Sequence, residues 1–569
     1  MPRYFLRKVK KKIGRKYKDI DPEDIFLDST NLPGFDEHSF EGRIERPIEN
    51  RTFLFIKFMF LFVVILLSAR LWNLQISEGK EYTKISENNR LNHALIFSNR
   101  GVILDRNQVE LATNAIKGEG DDFAYRVYGP IKGLAHVLGY IKYPQKDAKG
   151  FYYDEEYKGQ AGVEMVYNDL LSGKNGIKLT ETDALGNITS ESVIQKPVDG
   201  EILKLSLDAK LTEALYTTME AFAKERGYTG GGGVIMDVRT GEILALTSYP
   251  EYDPNVITAG EDKEKLRKLF NDPGTPFLDR VTSGLYTPGS IVKPIVAIGA
   301  LSENIISPEK SILSTGALTL PNPYDPKKPS VFKDWKAHGW VDMRRALAVS
   351  SDVYFYVVGG GFEDQKGLGI SKIDQYFKMF GMEEPTGIDL PGEKSGVIAT
   401  PEWKLKNFND DWRLGDTYIT AIGQYGTQVT ALEVVRWVAA IANGGKLLVP
   451  TVRFGGLPED QRVYRQINLP LKDWQIIREG MRQGVQTGGT AAGLNIPSVS
   501  VAAKTGTAEL GVSKELVNSW STGFFPYENP HYAFAILMEK GSRYNTVGAT
   551  GVMRQLLDWM TLYAPNYFE

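Results

Sequence analysis

The sequence predicts a membrane-anchored protein of the α/β (α+β) class, in which an antiparallel sheet with flanking helices follows an N-terminal apolar helix and a β-rich segment. Three observations support this prediction. An apolar run long enough to span a bilayer lies between Phe53 and Trp72. The segment 73–200 is rich in glycine, asparagine and charge, and its apolar runs are short. The remainder begins with a helical pattern that is followed by a β-hairpin pattern.

Length and composition narrow the possible functions. The chain has 569 residues, too many for one ordinary core, so two or three domains are expected. Its net charge of -3 gives no support to a nucleic-acid partner. It contains no cysteine, which excludes disulfides, thiol catalysis and cysteine-ligated metals, and its five histidines include no His-x-x-x-His pair. We therefore expect neither a metal nor another cofactor.

Residues 1–51 form a tail with a basic and an acidic part. Lysines and arginines recur between Arg3 and Lys18, and an acidic, polar stretch follows from Asp19 through Glu49. Few residues in this tail could build a core, so the composition predicts disorder.

Residues 52–72 are predicted to be a transmembrane helix, because about 20 mainly apolar residues are needed to cross a bilayer. Lys57 lies near one end, where its side chain can snorkel, and Trp72 suits an interface. The preceding basic residues favour a cytoplasmic N-terminus, which places the rest of the chain outside the cell (inner) membrane. A buried core helix and a cleaved signal peptide are alternatives, but the run is apolar on every face and starts late.

Residues 73–200 are predicted to form an irregular, extended pedestal domain that lifts the following body away from the membrane. Short β-like runs such as Ala94–Ser98 alternate with polar turns such as Asn99–Asn107. Gly133–Ile141 carries an apolar stripe. The segment shows no catalytic constellation.

The body, residues 201–569, begins with a helix that Asp208 can cap. The run 230–237, the turn after it and the run 243–246 predict a β-hairpin. Near the end, Tyr532–Met538 is predicted to be a strand, and a closing helix follows. The apolar residues of the two helices share one face each, and they are Leu211, Leu215, Met219 and Phe222 in the first and Met553, Leu556, Leu557 and Met560 in the last.

Ser290 and Lys293 stand three residues apart, directly after a Pro-Gly turn. Residues at this spacing share one helical face, so the hydroxyl and the amine would project together from a first turn. A serine hydroxyl is a poor nucleophile unless a base takes its proton, and a lysine can be that base when burial or a second cation favours its neutral form. By itself the pattern also fits a capped helix start with a solvated lysine.

Two further short motifs follow in the chain. Ser350–Asp352 precedes an apolar run, and Lys504–Thr507 follows the strand-like Val499–Ala503. Each motif is weak alone. Their order and spacing after Ser290 form the signature of active-site serine penicillin-recognising enzymes.

From about Leu71 to its last residue the chain resembles the class B penicillin-binding proteins, which are monofunctional peptidoglycan transpeptidases. The resemblance implies the penicillin-recognising transpeptidase fold behind a pedestal of the dimerisation type. The matching residues in the pedestal are Arg100-Gly101, Asp105–Asn107, Gly159 and Gly162–Glu164. In the body they are Thr240–Ser248, Asp253–Asn255, Trp335, His338-Gly339, Gly387–Gly392, Gly423-Gln424, Gly426, Ala442–Gly445, Trp520 and Gly523–Pro526.

Within the family, the aspartate at position 352 resembles the elongation-type penicillin-binding protein 2 rather than the division-type enzyme. Tyr354–Tyr356, Trp335 and His338 favour the same type. The resemblance therefore implies a role in cell-wall elongation and cell shape, with a division-type septal transpeptidase as the alternative.

The resemblance also implies a mechanism. Ser290 would attack the penultimate D-alanine of a D-Ala-D-Ala stem peptide and release the last D-alanine, with Lys293 as the base. Lys504 would favour the neutral form of Lys293 by like-charge repulsion, whereas Asp352 would oppose it, and the sequence leaves open which effect prevails. Ser350 would relay the proton to the leaving amine. An amine of a neighbouring stem peptide would then close the cross-link, and β-lactams would stall at the acyl stage.

The backbone N–H groups of Ser290 and Thr507 would form the oxyanion hole. The hydroxyls of Thr505 and Thr507, beside Lys504, would bind the terminal carboxylate of the substrate. The predicted catalytic residues are Ser290, Lys293, Ser350, Asp352 and Lys504, and the predicted oxyanion and substrate-binding residues are Thr505, Gly506 and Thr507.

Three other functions remain as alternatives. Glu402–Asn407 faintly resembles the Glu-x-x-Leu-Asn motif of serine β-lactamases, although the asparagine is displaced by one residue. A β-lactam sensor usually has several membrane spans, and this sequence predicts one. An inactive scaffold does not fit the intact motifs.

The predicted membrane span is also a candidate contact surface for a partner protein in the membrane. By resemblance, that partner would be a polytopic SEDS-family glycosyltransferase, so that polymerisation and cross-linking are coupled. A helix that serves only as an anchor would explain the span equally well.

Overall fold

The computed structural model describes residues 50–569, apart from residues 81, 83–90, 119, 149–150, 183–187, 323–324, 326 and 512–513. The described residues fall into two compact units, one that ends at residue 91 and one that covers residues 92–569. The prediction of disorder concerns residues 1–51, of which 1–49 lie outside the described residues; Asn50 and Arg51 already belong to the first helix.

The first helix, α1 (Asn50–Trp72), continues into a π-helical turn at Asn73–Ser77. The stretch Phe53–Ser77 is long and apolar enough to cross a membrane, and its side chains are exposed. Exposed apolar side chains along a helix of that length are typical of a membrane anchor, because such side chains are unfavourable in water. One long apolar N-terminal helix is thus confirmed at about the predicted residues.

The pedestal consists of short strands and short helices, as the many polar turns of its sequence predict. Its strands are β1 (Leu91–Ile96), β2 (Ile103–Leu104), β3 (Glu110–Ala115), β4 (Tyr125–Tyr128), β5 (Ile141–Lys142), β6 (Gln145–Lys146), β7 (Tyr152–Asp154), β8 (Lys158–Gly159), β9 (Gly176–Thr182) and β10 (Ile188–Gln195). One further strand, β11 (Leu203–Lys204), belongs to the start of the body and joins a pedestal sheet. Its helices are α2 (Ala135–Leu138), α3 (Gly162–Val166) and α4 (Asn168–Ser172). The largest sheet has the order β11-β2-β3-β4, and a second has the order β1-β9-β10.

A buried ionic cluster holds the pedestal together. Arg100 Nε lies 2.5 Å from Glu164 Oε2, and Arg126 Nε lies 2.7 Å from Glu164 Oε1. All three side chains are buried, so each charge has to be satisfied by its neighbours. Arg100 and Glu164, which match the class B family, therefore have a structural role in the pedestal.

The pedestal continues directly into the body. Strand β11 follows residue 200, yet it pairs in parallel with β2 of the pedestal. Asp105 of the pedestal accepts a hydrogen bond from the backbone N–H of Ala209 at 3.1 Å. Glu251 of the body in turn accepts hydrogen bonds from Gly133 and Ala135. These contacts make residues 92–569 one compact unit.

The body is built on an antiparallel five-stranded sheet with the order β13-β12-β22-β21-β20. The first pair is the predicted hairpin, with Val234 opposite Leu246. The strands of the body are β12 (Gly230–Asp237), β13 (Ile243–Tyr249), β14 (Ile312–Ser314), β15 (Ala317–Leu320), β16 (Ser330–Lys333), β17 (Gly339–Val341), β18 (Lys446–Leu448), β19 (Val463–Gln466), β20 (Ala502–Leu510), β21 (Leu516–Phe525) and β22 (Tyr532–Ser542).

Helices make up much of the rest of the body, and several of them pack against this sheet. They are α5 (Ala209–Arg226), α6 (Pro254–Ala259), α7 (Lys263–Phe270), α8 (Lys293–Ser302), α9 (Met343–Val349), α10 (Asp352–Gly360), α11 (Ile370–Met379), α12 (Pro401–Phe408), α13 (Leu414–Ala421), α14 (Ala431–Asn443), α15 (Glu459–Arg462), α16 (Leu471–Val485) and α17 (Ala549–Tyr563). The predicted cap of α5 is present, because Asp208 accepts from the backbone N–H of Leu211 at 3.0 Å.

Both faces of the sheet are covered, which gives the body three layers. Ile235 packs in the apolar cluster formed with α5 and α17, whereas its neighbours Val234 and Met236 belong to the larger cluster that includes α8 and α14. Successive strand residues point to opposite faces, so a strand buried on both sides is apolar throughout. The antiparallel sheet with flanking helices is confirmed, as is the β-rich pedestal before it.

Candidate active site

The turn that carries Ser290 is packed against two other segments of backbone. The N–H of Gly289 donates to the carbonyl of Gly423 at 2.7 Å. On its other side, a Cβ added to Gly289 would lie 2.8 Å from the carbonyl oxygen of Thr507. Ser290 itself is half-buried, in a 3₁₀ turn at Gly289–Val292 that runs straight into α8. The nucleophile candidate is thus fixed beside the Lys-Thr-Gly strand, β20.

Strand β20 approaches this turn closely because Gly506 has no side chain. A Cβ on Gly506 would lie 2.8 Å from the carbonyl oxygen of Pro288. The neighbouring strand adds a further contact, since Trp520 Nε1 donates to the carbonyl of Thr287 at 3.1 Å. Trp520 stands opposite Gly506 in the sheet. These contacts bring the first and third motifs together.

Lys293 is buried at the start of α8, so the alternative of a solvated lysine is wrong. Its Nζ donates to the carbonyl of Ser350 at 2.8 Å and lies 3.3 Å from Ser350 Oγ. Asp352 Oδ1 lies 2.6 Å from the same nitrogen. A buried ammonium requires such a partner, so the Lys293–Asp352 contact is an ion pair.

Lys504 approaches Ser350 from the opposite side. Its Nζ lies 2.7 Å from Ser350 Oγ and donates to the carbonyl of Thr505 at 2.8 Å. Burial places the pKa of Lys504 well below its ordinary value, the charge of Lys293 lowers it further, and Asp352 opposes the shift. The hydroxyl of Ser350 therefore bridges two buried lysines, and burial favours the neutral form of Lys504.

Ser350 reaches both lysines because of its backbone. It follows α9 in a left-handed conformation, with φ of 58°, which few residues other than glycine adopt. Its carbonyl and its hydroxyl are both directed at Lys293 as a result. The next residue, Ser351, caps α10 by accepting from the backbone N–H of Tyr354 at 3.3 Å.

The predicted substrate-binding threonines lie along β20. Thr507 is exposed, and its carbonyl accepts from Gln424 Nε2 at 3.0 Å. Thr505 is half-buried, and its hydroxyl donates to the hydroxyl of Thr490 at 2.8 Å. The structure thus brings all eight predicted site residues into one region, at the junction of the Ser290 turn, the α9–α10 connection and β20.

Two residues in contact with this region were not predicted from the sequence. Thr490 lies in a Thr-Gly-Gly-Thr loop, whose glycines indicate a turn but no particular contact. Asp334 accepts hydrogen bonds from Ser351 and Val353. The sequence indicates Asp334 only through its neighbour Trp335, which is one of the residues that match the family.

Glu402, the candidate base of the β-lactamase alternative, lies in the first turn of α12 with an exposed side chain. Hydrogen bonds from its own backbone N–H and from Thr400 lower the pKa of its carboxyl. These contacts are those of an ordinary helix N-terminus.

Comparison with known protein families agrees with the geometry of this site. The penicillin binding protein transpeptidase domain matches residues 231–558, and the penicillin-binding protein dimerisation domain matches residues 123–205. The chain belongs to the penicillin-binding protein transpeptidase family. The two domains together confirm the class B organisation that the motifs predicted, and they confirm a transpeptidase domain as the catalytic body.

Relatives within the family point to its type. The chain is 32% identical to the peptidoglycan D,D-transpeptidase MrdA of Acinetobacter baumannii over an alignment of 437 residues, which covers 72% of this chain and 62% of the relative. It is similar, at 28% identity and a TM-score of 0.67, to penicillin-binding protein 2 of Helicobacter pylori solved in complex with MreC, covering 83% of this chain and 99% of the other. The resemblance to penicillin-binding protein 2 is thereby confirmed.

A third similarity is to a chain of a peptidoglycan synthase complex that coordinates polymerization and crosslinking. The identity is 25% and the TM-score is 0.67, over 90% of this chain and 97% of the other.

Proposed function

We propose that this chain is a peptidoglycan D,D-transpeptidase that cross-links stem peptides during cell-wall elongation, with Ser290 as the nucleophile. One observation carries the assignment. The Ser350 hydroxyl lies 3.3 Å from Lys293 Nζ and 2.7 Å from Lys504 Nζ, and Lys293 begins the helix that follows Ser290. Two buried amines that share one hydroxyl form a path for a proton next to a serine.

The contacts support a specific use of that path. Lys504 is driven toward its neutral form, so its amine can accept the proton of Ser350 while Ser350 takes one from Lys293. This exchange leaves Lys293 neutral at the moment it is needed as a base. Lys293 then takes the proton of Ser290 as the oxygen attacks the penultimate D-alanine carbonyl.

The remaining steps reverse this transfer. The backbone N–H groups of Ser290 and Thr507 stabilise the oxyanion, and such donors are worth about 3 kcal/mol each. The proton returns through Ser350 to the leaving amine of the terminal D-alanine. An amine of a second stem peptide then attacks the acyl-enzyme, and Ser290 is regenerated. The hydroxyls of Thr505 and Thr507, with Lys504, bind the terminal carboxylate of the donor.

Asp352 has a definite part in this scheme. Its carboxylate holds the ammonium form of Lys293 at 2.6 Å in the resting enzyme. In this scheme the Lys293–Asp352 ion pair is present at rest, and the amine of Lys504 accepts the proton. Asp352 thus keeps Lys293 and Ser350 in register before the reaction begins.

The elongation role rests on similarity to penicillin-binding protein 2. A division-type septal role is the second candidate, and the aspartate at position 352 and the relatives named above speak against it. A membrane-anchored β-lactamase would need a second base for deacylation, and the exposed Glu402 at a helix start is a poor one. A β-lactam sensor usually has several membrane spans, whereas the described residues contain one candidate span.

Intact-mass spectrometry of the full-length chain in detergent, after brief incubation with benzylpenicillin, tests the proposal. We expect one persistent adduct on the parent protein and none on Ser290→Ala. Rapid loss of the adduct with turnover of the drug would instead identify a β-lactamase. An adduct that persists on Ser290→Ala would remove Ser290 from the role of nucleophile.

We further propose that α1 anchors the chain in the cell membrane with its N-terminus in the cytoplasm, and that it contacts a SEDS-family glycosyltransferase. The length and apolar composition of α1 support the anchor. The similarity to a chain of a peptidoglycan synthase complex supports the partner.

Replacing residues 52–72 with an unrelated apolar span tests this partner. We expect benzylpenicillin acylation to stay at the parent rate and polymerisation by the co-purified glycosyltransferase to lose its stimulation. Unchanged stimulation would contradict the contact through α1. A span that carries only conservative apolar substitutions on α1 serves as the control for expression and insertion.

A further inference from the structure

A buried carboxylate outside the three motifs lies directly behind the α9–α10 connection. The side chain of Asp334 is 0% exposed. Its Oδ2 accepts hydrogen bonds from Ser314 Oγ at 3.1 Å, from Ser351 Oγ at 2.9 Å and from the backbone N–H of Val353 at 3.0 Å. A buried carboxylate is costly unless it is satisfied in this way, so its presence requires an explanation.

Two of these three donors are the neighbours of Asp352 in the chain. Ser351 precedes Asp352 and Val353 follows it, so the carboxylate of Asp334 holds the chain on both sides of Asp352, through the Ser351 hydroxyl and the Val353 backbone N–H. The same carboxylate lies at the N-terminus of α10, where a negative charge is favourable.

The residue next to Asp334 makes a matching contact on the other side of Ser350. Trp335 Nε1 donates to the carbonyl of Val349 at 3.2 Å. Residues 334–335 therefore hold both ends of the segment 349–353, in which Ser350 has its left-handed conformation. A strained residue keeps its conformation only when the surrounding structure fixes it.

We propose that Asp334 is a positioning residue for acylation, one that holds Ser350 and Asp352 at their distances from Lys293 and Lys504. This inference rests on the proposed function, because it concerns the rate of the step assigned to Ser290. Asp334 acts through hydrogen bonds to the segment 349–353.

Asp334→Asn in the full-length chain is the first test, because it preserves the shape of the side chain and puts an amide N–H where a carboxylate oxygen accepted. Acylation is followed over a range of benzylpenicillin concentrations. We expect the maximal acylation rate to fall about 100-fold, as displaced catalytic groups do. The concentration for half-maximal rate should change little, because the Thr505 and Thr507 hydroxyls are untouched. A variant that merely folds less well would not show a lower maximal rate together with an unchanged concentration for half-maximal rate.

Asp364→Asn is the matched control, since it removes an exposed aspartate elsewhere in the body and should leave both parameters at parent values. Trp335→Phe keeps an aromatic side chain but loses the hydrogen bond to the carbonyl of Val349. Ser351→Ala keeps the carboxylate of Asp334 but removes one of its hydrogen-bond donors. Both should lower the maximal rate severalfold, which tests the inference even where Asp334→Asn does not fold.

The outcomes separate the two hypotheses. A parent protein that forms no adduct at Ser290 would contradict the proposed function itself. A parent that is acylated at Ser290, together with a folded Asp334→Asn variant that reacts at the parent rate, would overturn only the role of Asp334. Parent rates in both Trp335→Phe and Ser351→Ala would overturn that role as well.

Discussion

Ser350 carries backbone strain at the centre of the site. Its φ of 58° lies in the left-handed region, which costs a residue with a Cβ about 1–2 kcal/mol relative to glycine. A glycine at this position would relax the strain and remove the hydroxyl that bridges Lys293 and Lys504. The left-handed conformation therefore places the hydroxyl between the two lysines and lowers the stability of the protein.

Ser350→Gly and Ser350→Ala separate these two effects. Both variants lose the hydroxyl, so we expect both to lose about 100-fold or more in benzylpenicillin acylation rate. Only glycine relaxes the backbone, so Ser350→Gly should be more stable than Ser350→Ala by about 1 kcal/mol in chemical denaturation. Equal stability of the two variants would show that the left-handed conformation stores no strain.

The two buried lysines differ in their surroundings, in a way that distances show and a sequence does not. Lys293 has Asp352 at 2.6 Å, whereas Lys504 has only hydroxyl and carbonyl oxygens as hydrogen-bond partners among the described residues. Burial followed by repulsion from Lys293 therefore lowers the pKa of Lys504. The motif spacing predicted both lysines, but it could not predict which of them Asp352 would contact more closely.

A pH dependence follows from this lowered pKa. As pH falls through the folded pKa of Lys504, the amine gains a proton and can no longer accept one from Ser350. Acylation by benzylpenicillin should therefore decline toward acid pH and reach a plateau above that pKa. The measurement is the second-order acylation rate constant at closely spaced pH values.

Lys504→Met is the variant for comparison, and Lys446→Met, an exposed lysine on β18, is its control. Lys504→Met should be slower by about 100-fold or more and should lose the acid limb that Lys504 produces. An unchanged acid limb in Lys504→Met would assign that limb to another group.

Single residues outside local patterns were the part of the site that sequence reasoning missed. Asp334 follows a short strand, in a segment without helical or strand periodicity. Its partners Ser314 and Ser351 stand 20 and 17 residues away in the chain. No periodic pattern connects residues at such separations, because the pairing is created only when β14 and α10 pack together.

The turn before α8 shows how elements place the nucleophile. Gly423 has φ of 72°, and a Cβ added to it would lie 2.2 Å from the carbonyl oxygen of Gly289. Backbone cannot yield as a flexible side chain can, so the Ser290 turn would have to move. The spacing of the turn, α8 and β20 thus depends on a glycine far away in the sequence.

Gly423→Ala should lower acylation by about 100-fold, because the displaced turn carries Ser290. It should also cost about 1 kcal/mol or more in stability, since alanine is unfavourable in the left-handed region. The measurements are the acylation rate constant and the midpoint of chemical denaturation.

Gly444→Ala is a matched control for the backbone cost. Gly444 has φ of 78° after α14, and a Cβ there would meet nothing within 4 Å. We expect a similar loss of stability and a parent acylation rate. If Gly423→Ala also kept the parent rate, the contact with Gly289 would not be what positions Ser290.

Among the elements, the long periodic ones were predictable and the short ones were not. The helix capped by Asp208, the hairpin around Val234 and the closing helix α17 lie where their apolar patterns predicted them. Strands β14–β17 have three or four residues each, and they pair as β14 with β17 and β15 with β16. Runs that short carry no usable periodicity, and their pairing depends on the loop that brings them together.

At the scale of the whole molecule, sequence composition predicted a pedestal and a body but could not predict how closely they are joined. Strand β11 pairs with β2, and Asp105 binds the first residue of α5, Ala209. Both contacts join segments about 100 residues apart. The change in composition near residue 200 therefore marks a change in local structure within one compact unit, residues 92–569.

The Arg100–Glu164–Arg126 cluster tests what that junction means for stability and catalysis. In Glu164→Gln, two buried guanidinium groups lose their shared counter-charge, and breaking such a buried pair costs about 3–5 kcal/mol. Because pedestal and body form one unit, they should unfold together, and the midpoint of thermal unfolding of the full-length chain should fall. Glu191→Gln, which removes an exposed ion pair with Lys178, should cost at most about 1 kcal/mol. Below its unfolding transition, Glu164→Gln should be acylated at the parent rate, because the contacts that fix Ser290, Lys293 and Ser350 among the described residues come from the body. A folded Glu164→Gln with slowed acylation would instead make the pedestal a part of the machinery that shapes the active site.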